Sequence, residues 1–276
     1  MGSRMIKKGI DRYDILMGGR TSAAFFIGYY ACHAMKIRTL LFSLISFALV
    51  GCAPASLQGS FVIVEETRHY TMPFHAVVLQ DVGELTIMTE GEAGTLILKG
   101  DDNLVEAFQV TILDGVMTLD YASAAPVVPS RPFEITLVVD TIEAITLDHA
   151  DGFIDLTSEM SVDVLTVTLY GNGFINLENV HADVLNVAIH GDGTLFARGE
   201  AREQRVVMDE GLGVYAADEL RSEHAAVDLS GGVNARVWVT QILEPELSGG
   251  AKLFYYGSPQ VRAEDDPIGL VDMDKK

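Results

Sequence analysis

Two stretches decide the fold: Val164-Leu-Thr-Val-Thr-Leu-Tyr-Gly-Asn-Gly-Phe-Ile-Asn-Leu177 and Val184-Leu-Asn-Val-Ala-Ile-His-Gly-Asp-Gly-Thr-Leu-Phe-Ala197. In the first, Leu165, Val167 and Leu169 alternate with polar residues up to a Gly-x-Gly turn, and Ile175 and Leu177 alternate away from it. A period of two is that of a strand with one buried face. The second stretch repeats the pattern twenty residues later with Leu185, Val187, Ile189, Leu195 and Ala197. Outward from this pair the turns recur as Ala150-Asp151-Gly152, Gly171-Asn172-Gly173, Gly191-Asp192-Gly193, Gly211-Leu212-Gly213, Gly231-Gly232-Val233 and Gly249-Gly250-Ala251, with steps of 21, 20, 20, 20 and 18 residues. A fixed period near twenty marks a solenoid. The chain therefore reads as all-β, a parallel β-helix of about 20 residues per rung, with like side chains stacked between rungs. Antiparallel sandwiches give no reason for a constant step.

One rung breaks the rule. Counting on from Leu185 and Ile189 puts Arg205 and Asp209 inside, where an unpaired charge is costly. Four residues apart on a strand they are about 13 Å from each other and cannot pair. A one-residue slip that turns Val206 and Met208 inward is the expected remedy.

Before the repeats, residues 61–132 are short runs rich in branched side chains, such as Phe61-Val-Ile-Val64, Leu85-Thr-Ile-Met88 and Phe108-Gln-Val-Thr-Ile-Leu113, separated by Gly, Asp, Asn or Pro. They read as an amino-terminal β-strand region. Pro126, Pro129 and Pro132 mark a break before the repeats of 133–259. Residues 260–276 read as an acidic tail.

The amino-terminal end carries a different signal. Met35-Lys-Ile-Arg38 leads into the apolar run Thr39–Val50, then Gly51-Cys52-Ala53. A basic start, a short apolar run and small residues at a cut form a secretory signal, and the run is short of the roughly 20 residues of a membrane span. Leu49-Val50-Gly51-Cys52 resembles the lipobox of bacterial lipoproteins. The resemblance implies a signal peptide over 35–51, cleavage before Cys52, fatty acyl chains such as palmitate on that cysteine, and a tether over 52–60. Ala53 after the cysteine fits delivery to the outer membrane of the cell envelope. Residues 1–34 fit no part of a signal and read as a misassigned start or an extension.

Charge narrows the function. The chain has 19 Lys plus Arg against 39 Asp plus Glu. Seven of the basic residues and two of the acidic ones precede Cys52, leaving 12 against 37, or −25, from Cys52 onward. Such a surface repels phosphate backbones, so nucleic acid is excluded as a partner. With Cys32 and Cys52 the only cysteines, a mature chain beginning at Cys52 has no disulfide framework, thiol nucleophile or cysteine metal cluster.

Several segments together are similar to the auto-transporter adhesin family with a head GIN domain: Gly100-Asp101-Asp102-Asn103-Leu104, Val110 with Asp114-Gly115-Val116-Met117-Thr118-Leu119, the serial Gly-x-Gly turns, and Tyr256-Gly257-Ser258-Pro259. The likeness runs from about Phe61 to Pro259. It implies a right-handed β-helix of pectate-lyase-like shape and an adhesin-like role. Ser230 and Ser248 match the family's serine before the turn glycine, whereas His149, Tyr170, His190 and Glu210 depart from it.

Two outward ladders are the candidate sites. Asp151, Asn172 and Asp192 share one turn slot; their oxygens suit calcium, and Asn and Asp also favour such turns for backbone reasons alone. Tyr170, His190 and Glu210 form a second ladder with rungs about 4.8 Å apart, suited to a metal or to glycan stacking, or simply solvated. No nucleotide loop, zinc spacing or Gly-x-Ser-x-Gly elbow occurs, so no catalytic residue and no cofactor beyond calcium is indicated. Trp238 and Tyr256 near the last rung are candidate partner contacts, while Tyr255 reads as core. The expectation is a non-catalytic, lipid-anchored envelope protein whose coil binds a glycan, surface polymer or protein partner. The alternative is a polysaccharide lyase or hydrolase, which would place carboxylates, an Arg or Lys and aromatics in a lateral groove.

Overall fold

The computed structural model describes residues 56–80, 83–121, 123, 125–148, 152–263 and 268–275. Cys52, the signal segment, residues 1–34, His149 and Asp151 lie outside these, and the described part belongs to one compact unit, Pro54–Lys276.

The unit is a β-solenoid. Its central strands are β10 (Ala144–Asp148), β11 (Phe153–Leu156), β12 (Met160–Tyr170), β13 (Phe174–His190), β14 (Thr194–Asp209), β15 (Val214–Leu229), β16 (Asn234–Leu247) and β17 (Lys252–Tyr256). Each pairs in parallel with the strand one rung on, as Leu165 with Leu185 and Ile175 with Leu195. One row of inward side chains runs Leu79, Leu147, Leu169, Ile189, Met208, Leu229, and another runs Leu85, Ile154, Ile175, Leu195, Tyr215, Ala235, Leu253; all are buried. Tyr255 is buried too, as its alternation requires.

The turn glycines let consecutive rungs approach. At Gly191 φ is +121°, and a Cβ there would lie 2.8 Å from the carbonyl oxygen of Gly171. A side chain at that position would force the rungs apart or strain the backbone.

The slip is present and its origin is visible. Between β13 and β14 the register runs Leu177 to Ala197 and then Val180 to Gly199, one residue short. The residue that β14 lacks is matched in β13 by Asn179, which bulges out at φ +52°. From there Val206 faces Val187 and Met208 faces Ile189, both buried, while Arg205 and Asp209 turn outward. The same shift turns Gln204 inward, which the sequence pattern did not signal. It is satisfied there: Tyr215 Oη donates to Gln204 Oε1 at 2.8 Å, and Gln204 Nε2 donates to Ser222 Oγ at 2.9 Å. Burial pushes the Tyr215 phenol well above its ordinary pKa, so it is a permanent donor.

The first strands are β1 (Leu57–Gln58), β2 (Ile63–His69), β3 (Ala76–Gln80), β4 (Glu84–Met88), β5 (Thr95–Asp101), β6 (Phe108–Leu113), β7 (Val116–Tyr121), β8 (Val127–Val128) and β9 (Glu134–Val138), with one short helix, α1 (Asp102–Ala107). β1 and β8 form a separate two-stranded sheet and β2, β5 and β6 pair antiparallel, whereas β3, β4, β7 and β9 stack on the coil. β3 is sandwiched between β7 and β10, and β4 between β9 and β11, all in parallel. Phe108, Tyr121 and Phe133, with ring centroids 5.1–5.4 Å apart, pack in the core at this end. Leu57 and Gln58, which fall in the expected tether, pair in parallel with Val127 and Val128. At the other end β18 (Gln260–Val261) and β19 (Leu270–Asp272) pair in parallel with β16 and β17, so the acidic tail continues the coil.

Candidate functional site

The first and third residues past each turn glycine point outward, because Ile154, Ile175 and Leu195 between them point in. Phe153, Phe174 and Phe196 occupy three of these outward positions on β11, β13 and β14. Phe153 and Phe174 are in register, with ring centroids 5.1 Å apart and planes 11° from parallel. Phe196, one rung on and two residues along, sits 5.2 Å from Phe174. In the next rungs the row of Phe196 passes through Ala216 and the charged Arg236 before Phe254, and exposed Trp238 lies beside Tyr256.

Ionic and amide pairs border it. Asn176 Nδ2 donates to Asp155 Oδ1 at 2.8 Å, Arg198 bridges Glu178 and Glu219 at 3.3 and 3.2 Å, and Arg236 lies 3.5 Å from Asp218. An apolar strip with a polar rim is how interaction surfaces are built. Sequence reading missed the phenylalanines because it followed the inward alternation; the signal was Phe153 and Phe174 standing directly after the turn glycine.

The opposite sheet is different in kind. Its outward residues Thr146, Thr168 and Ala188 stack, as do Ala144, Thr166 and Asn186, and Asn186 Nδ2 reaches Thr166 Oγ1 at 3.4 Å. These are ladders of Thr, Ala and Asn, continued in β14 by Arg205 and the exposed Val207.

The two ladders proposed from sequence fare differently. Asp151 is outside the described residues. Asn172 and Asp192 occupy successive turns with exposed side chains, and Asp192 Oδ1 accepts the backbone N–H of Leu212 at 2.7 Å, tying its turn to the next. Among the described residues no three His, Cys, Asp or Glu side chains converge as a metal site would need. In the second ladder Tyr170 and His190 stack, with centroids 5.0 Å apart and planes 18° from parallel. Glu210 is not the next member. The short rung puts Asp209 opposite His190, with Oδ1 2.5 Å from Nδ1, and leaves Glu210 in the turn at φ +59°. The ladder is therefore Tyr170, His190, Asp209, continued the other way by Asp148, which accepts from Gln80 Nε2 at 3.1 Å.

A groove of about 720 Å³ crosses five rungs where the long strands bend. Its floor, Val162, Ala182, Ala201 and Ser222, is small. One wall carries Asp163, Asp183, Arg202 and Glu223 and the other Ser161, His181, Glu200 and Arg221. Arg202 lies 3.6 Å from Asp183. Carboxylates and arginines are thus present, but among the described residues no Phe, Tyr or Trp side chain lines the groove.

A coil with an aliphatic interior, a phenylalanine strip on one side and polar ladders on the other defines a β-solenoid module. Residues 73–259 match the family described as "Putative auto-transporter adhesin, head GIN domain", and the chain belongs to that family. Its fold is also that of a solved structure described as a putative adhesin from Bacteroides fragilis, at 22% identity and a TM-score of 0.68, covering 75% of this chain and 94% of that one. Similar too is a putative adhesin from Parabacteroides distasonis, at 16% identity and TM-score 0.63, covering 78% and 98%. A structure from the same organism described as a putative lipid binding protein follows at 13% and 0.62, covering 75% and 95%. No curated protein matches the chain.

Proposed function

We propose that the chain is a non-catalytic, lipid-anchored protein of the bacterial envelope, held at the outer membrane through acyl chains on Cys52, whose solenoid binds an extended glycan, surface polymer or protein partner. The observation that carries this reading is the external stack of Phe153, Phe174 and Phe196. Rings stacked on one another at rung spacing present their edges as an apolar strip, which suits a ligand that is itself repetitive. The polar rim supplies orientation. Family membership supports an adhesin-like role, and the net charge of −25 beyond Cys52 directs the partner choice to neutral or cationic polymers.

The test is a glycan array with a companion pull-down, using the fragment that starts at Ala53. Substituting Phe153, Phe174 and Phe196 together by alanine is expected to lower affinity for the specific hit at least tenfold. Unchanged binding would remove the aromatic face from the account.

The groove favours a second reading, a polysaccharide lyase or hydrolase, on the observation that Arg202 and Arg221 stand among four carboxylates. Depolymerisation of any tested polysaccharide, lost in Arg221→Ala, would establish it in place of the binding role.

A further inference from the structure

Phe61 and Val62 are the anomaly of the amino-terminal end. Phe61 is 82% exposed and Val62 54%, so two large apolar side chains stand side by side in solvent. Phe61 also has φ +66°, a backbone region that costs a residue with a side chain and persists only where surroundings impose it. The surroundings do so. Asp101, fully buried, accepts the Phe61 N–H at 2.7 Å and the Ser130 N–H and hydroxyl at 2.9 and 2.6 Å. The Val62 carbonyl accepts the Asp102 N–H at 2.8 Å, and Ser60 is held by Asn103 and Asp102. A loop this firmly tied, yet presenting two exposed apolar side chains, is pre-organised for a contact outside the protein.

Position identifies the contact. Leu57, the first paired residue among those described, is five residues after Cys52, a reach of at most about 18 Å at full extension. An acylated Cys52 would therefore hold this end of the coil against a bilayer, and Phe61 lies four residues further on. We infer that Phe61 and Val62 form a wedge that enters the headgroup region of the membrane and sets the orientation of the solenoid on it; this rests on the lipidation of Cys52. The acidic residues nearby, Asp102 and Glu65, are repelled by anionic headgroups, so the wedge suits a zwitterionic surface. Aromatic side chains favour that interfacial depth.

The experiment uses the full chain, matured in a bacterial host and placed in phosphatidylcholine nanodiscs, with Phe61→Trp as the reporter in a Trp238→Phe background. Blue-shifted emission and at least twofold quenching by brominated acyl chains are expected. Water-like, unquenched emission from protein that stays on the nanodisc would overturn the wedge while leaving the anchor intact. Protein that carries no acyl mass and does not join the nanodisc would overturn both. A second variant separates contact from folding: Phe61→Gly relieves the positive φ, so its thermal midpoint is expected to equal or exceed that of the parent, while a Val62→Trp reporter in that variant loses at least half of its quenching. A Val62→Trp reporter quenched equally with and without Phe61 would count against the wedge.

Discussion

At the residue scale, buried polar groups show what the coil tolerates. Gln204 is fully buried among aliphatic neighbours, and it survives because Tyr215 and Ser222 satisfy both ends of its amide. Gln204→Leu strands the Tyr215 hydroxyl and is expected to cost about 1–3 kcal/mol. Adding Tyr215→Phe should return part of that loss, and a double-mutant cycle from urea denaturation measures it. Asp101 offers a pH test. Burial alone would raise its pKa, but hydrogen bonds from Ser130 and Phe61 outweigh burial and hold the carboxyl below its usual value. A lowered folded pKa gives stability that is present above the unfolded value of 3.8 and lost as pH falls through the folded one. Asp101→Asn is therefore expected to lower the urea midpoint at pH 7, and the gap from the parent should narrow steadily below pH 4. A gap independent of pH would contradict the ionic clamp.

At the element scale, the short rung decides both stability and the outward ladder. Deleting Arg202 shortens the rung by one residue more, which sets Arg205 opposite Leu185 and Asp209 opposite Ile189, toward the core. Burying unpaired charges would cost several kcal/mol, so this variant is expected to unfold or aggregate at 37 °C, as followed by circular dichroism. Inserting an alanine within the exposed turn at Leu212 should cost far less, since a turn residue adds no inward charge. The rungs, their period and the need for a slip were legible because alternation and glycine spacing are local properties of the chain. Where the slip falls was not legible, because Asn179 and Gly199 matter only through the register between two rungs. For the same reason Glu210 was assigned to a ladder that Asp209 occupies. The joining of β3 and β4 to the coil was hidden too, since parallel pairing over sixty-odd residues leaves no local mark.

At the scale of the whole molecule, the solenoid separates structure from recognition. Its interior is one continuous column of stacked apolar rows, while the exterior carries Phe153, Phe174 and Phe196 on one side and Thr and Asn ladders with the stack of Tyr170 and His190 on the other. The outer charge is strongly one-signed, so self-repulsion opposes the compact state. Raising sodium chloride from 10 to 200 mM should therefore raise the thermal midpoint of the fragment from Ala53, as scanning calorimetry would show; a fall would mean that its surface ion pairs outweigh that repulsion. The central claim is that recognition resides on the aromatic sheet. The most direct measurement compares three forms of the fragment on one glycan array: the parent, the Phe153, Phe174 and Phe196 triple alanine variant, and Arg202→Ala with Arg221→Ala. The account predicts a specific hit that the triple variant loses and the groove variant keeps. A hit kept by the triple variant and lost by the groove variant would contradict it.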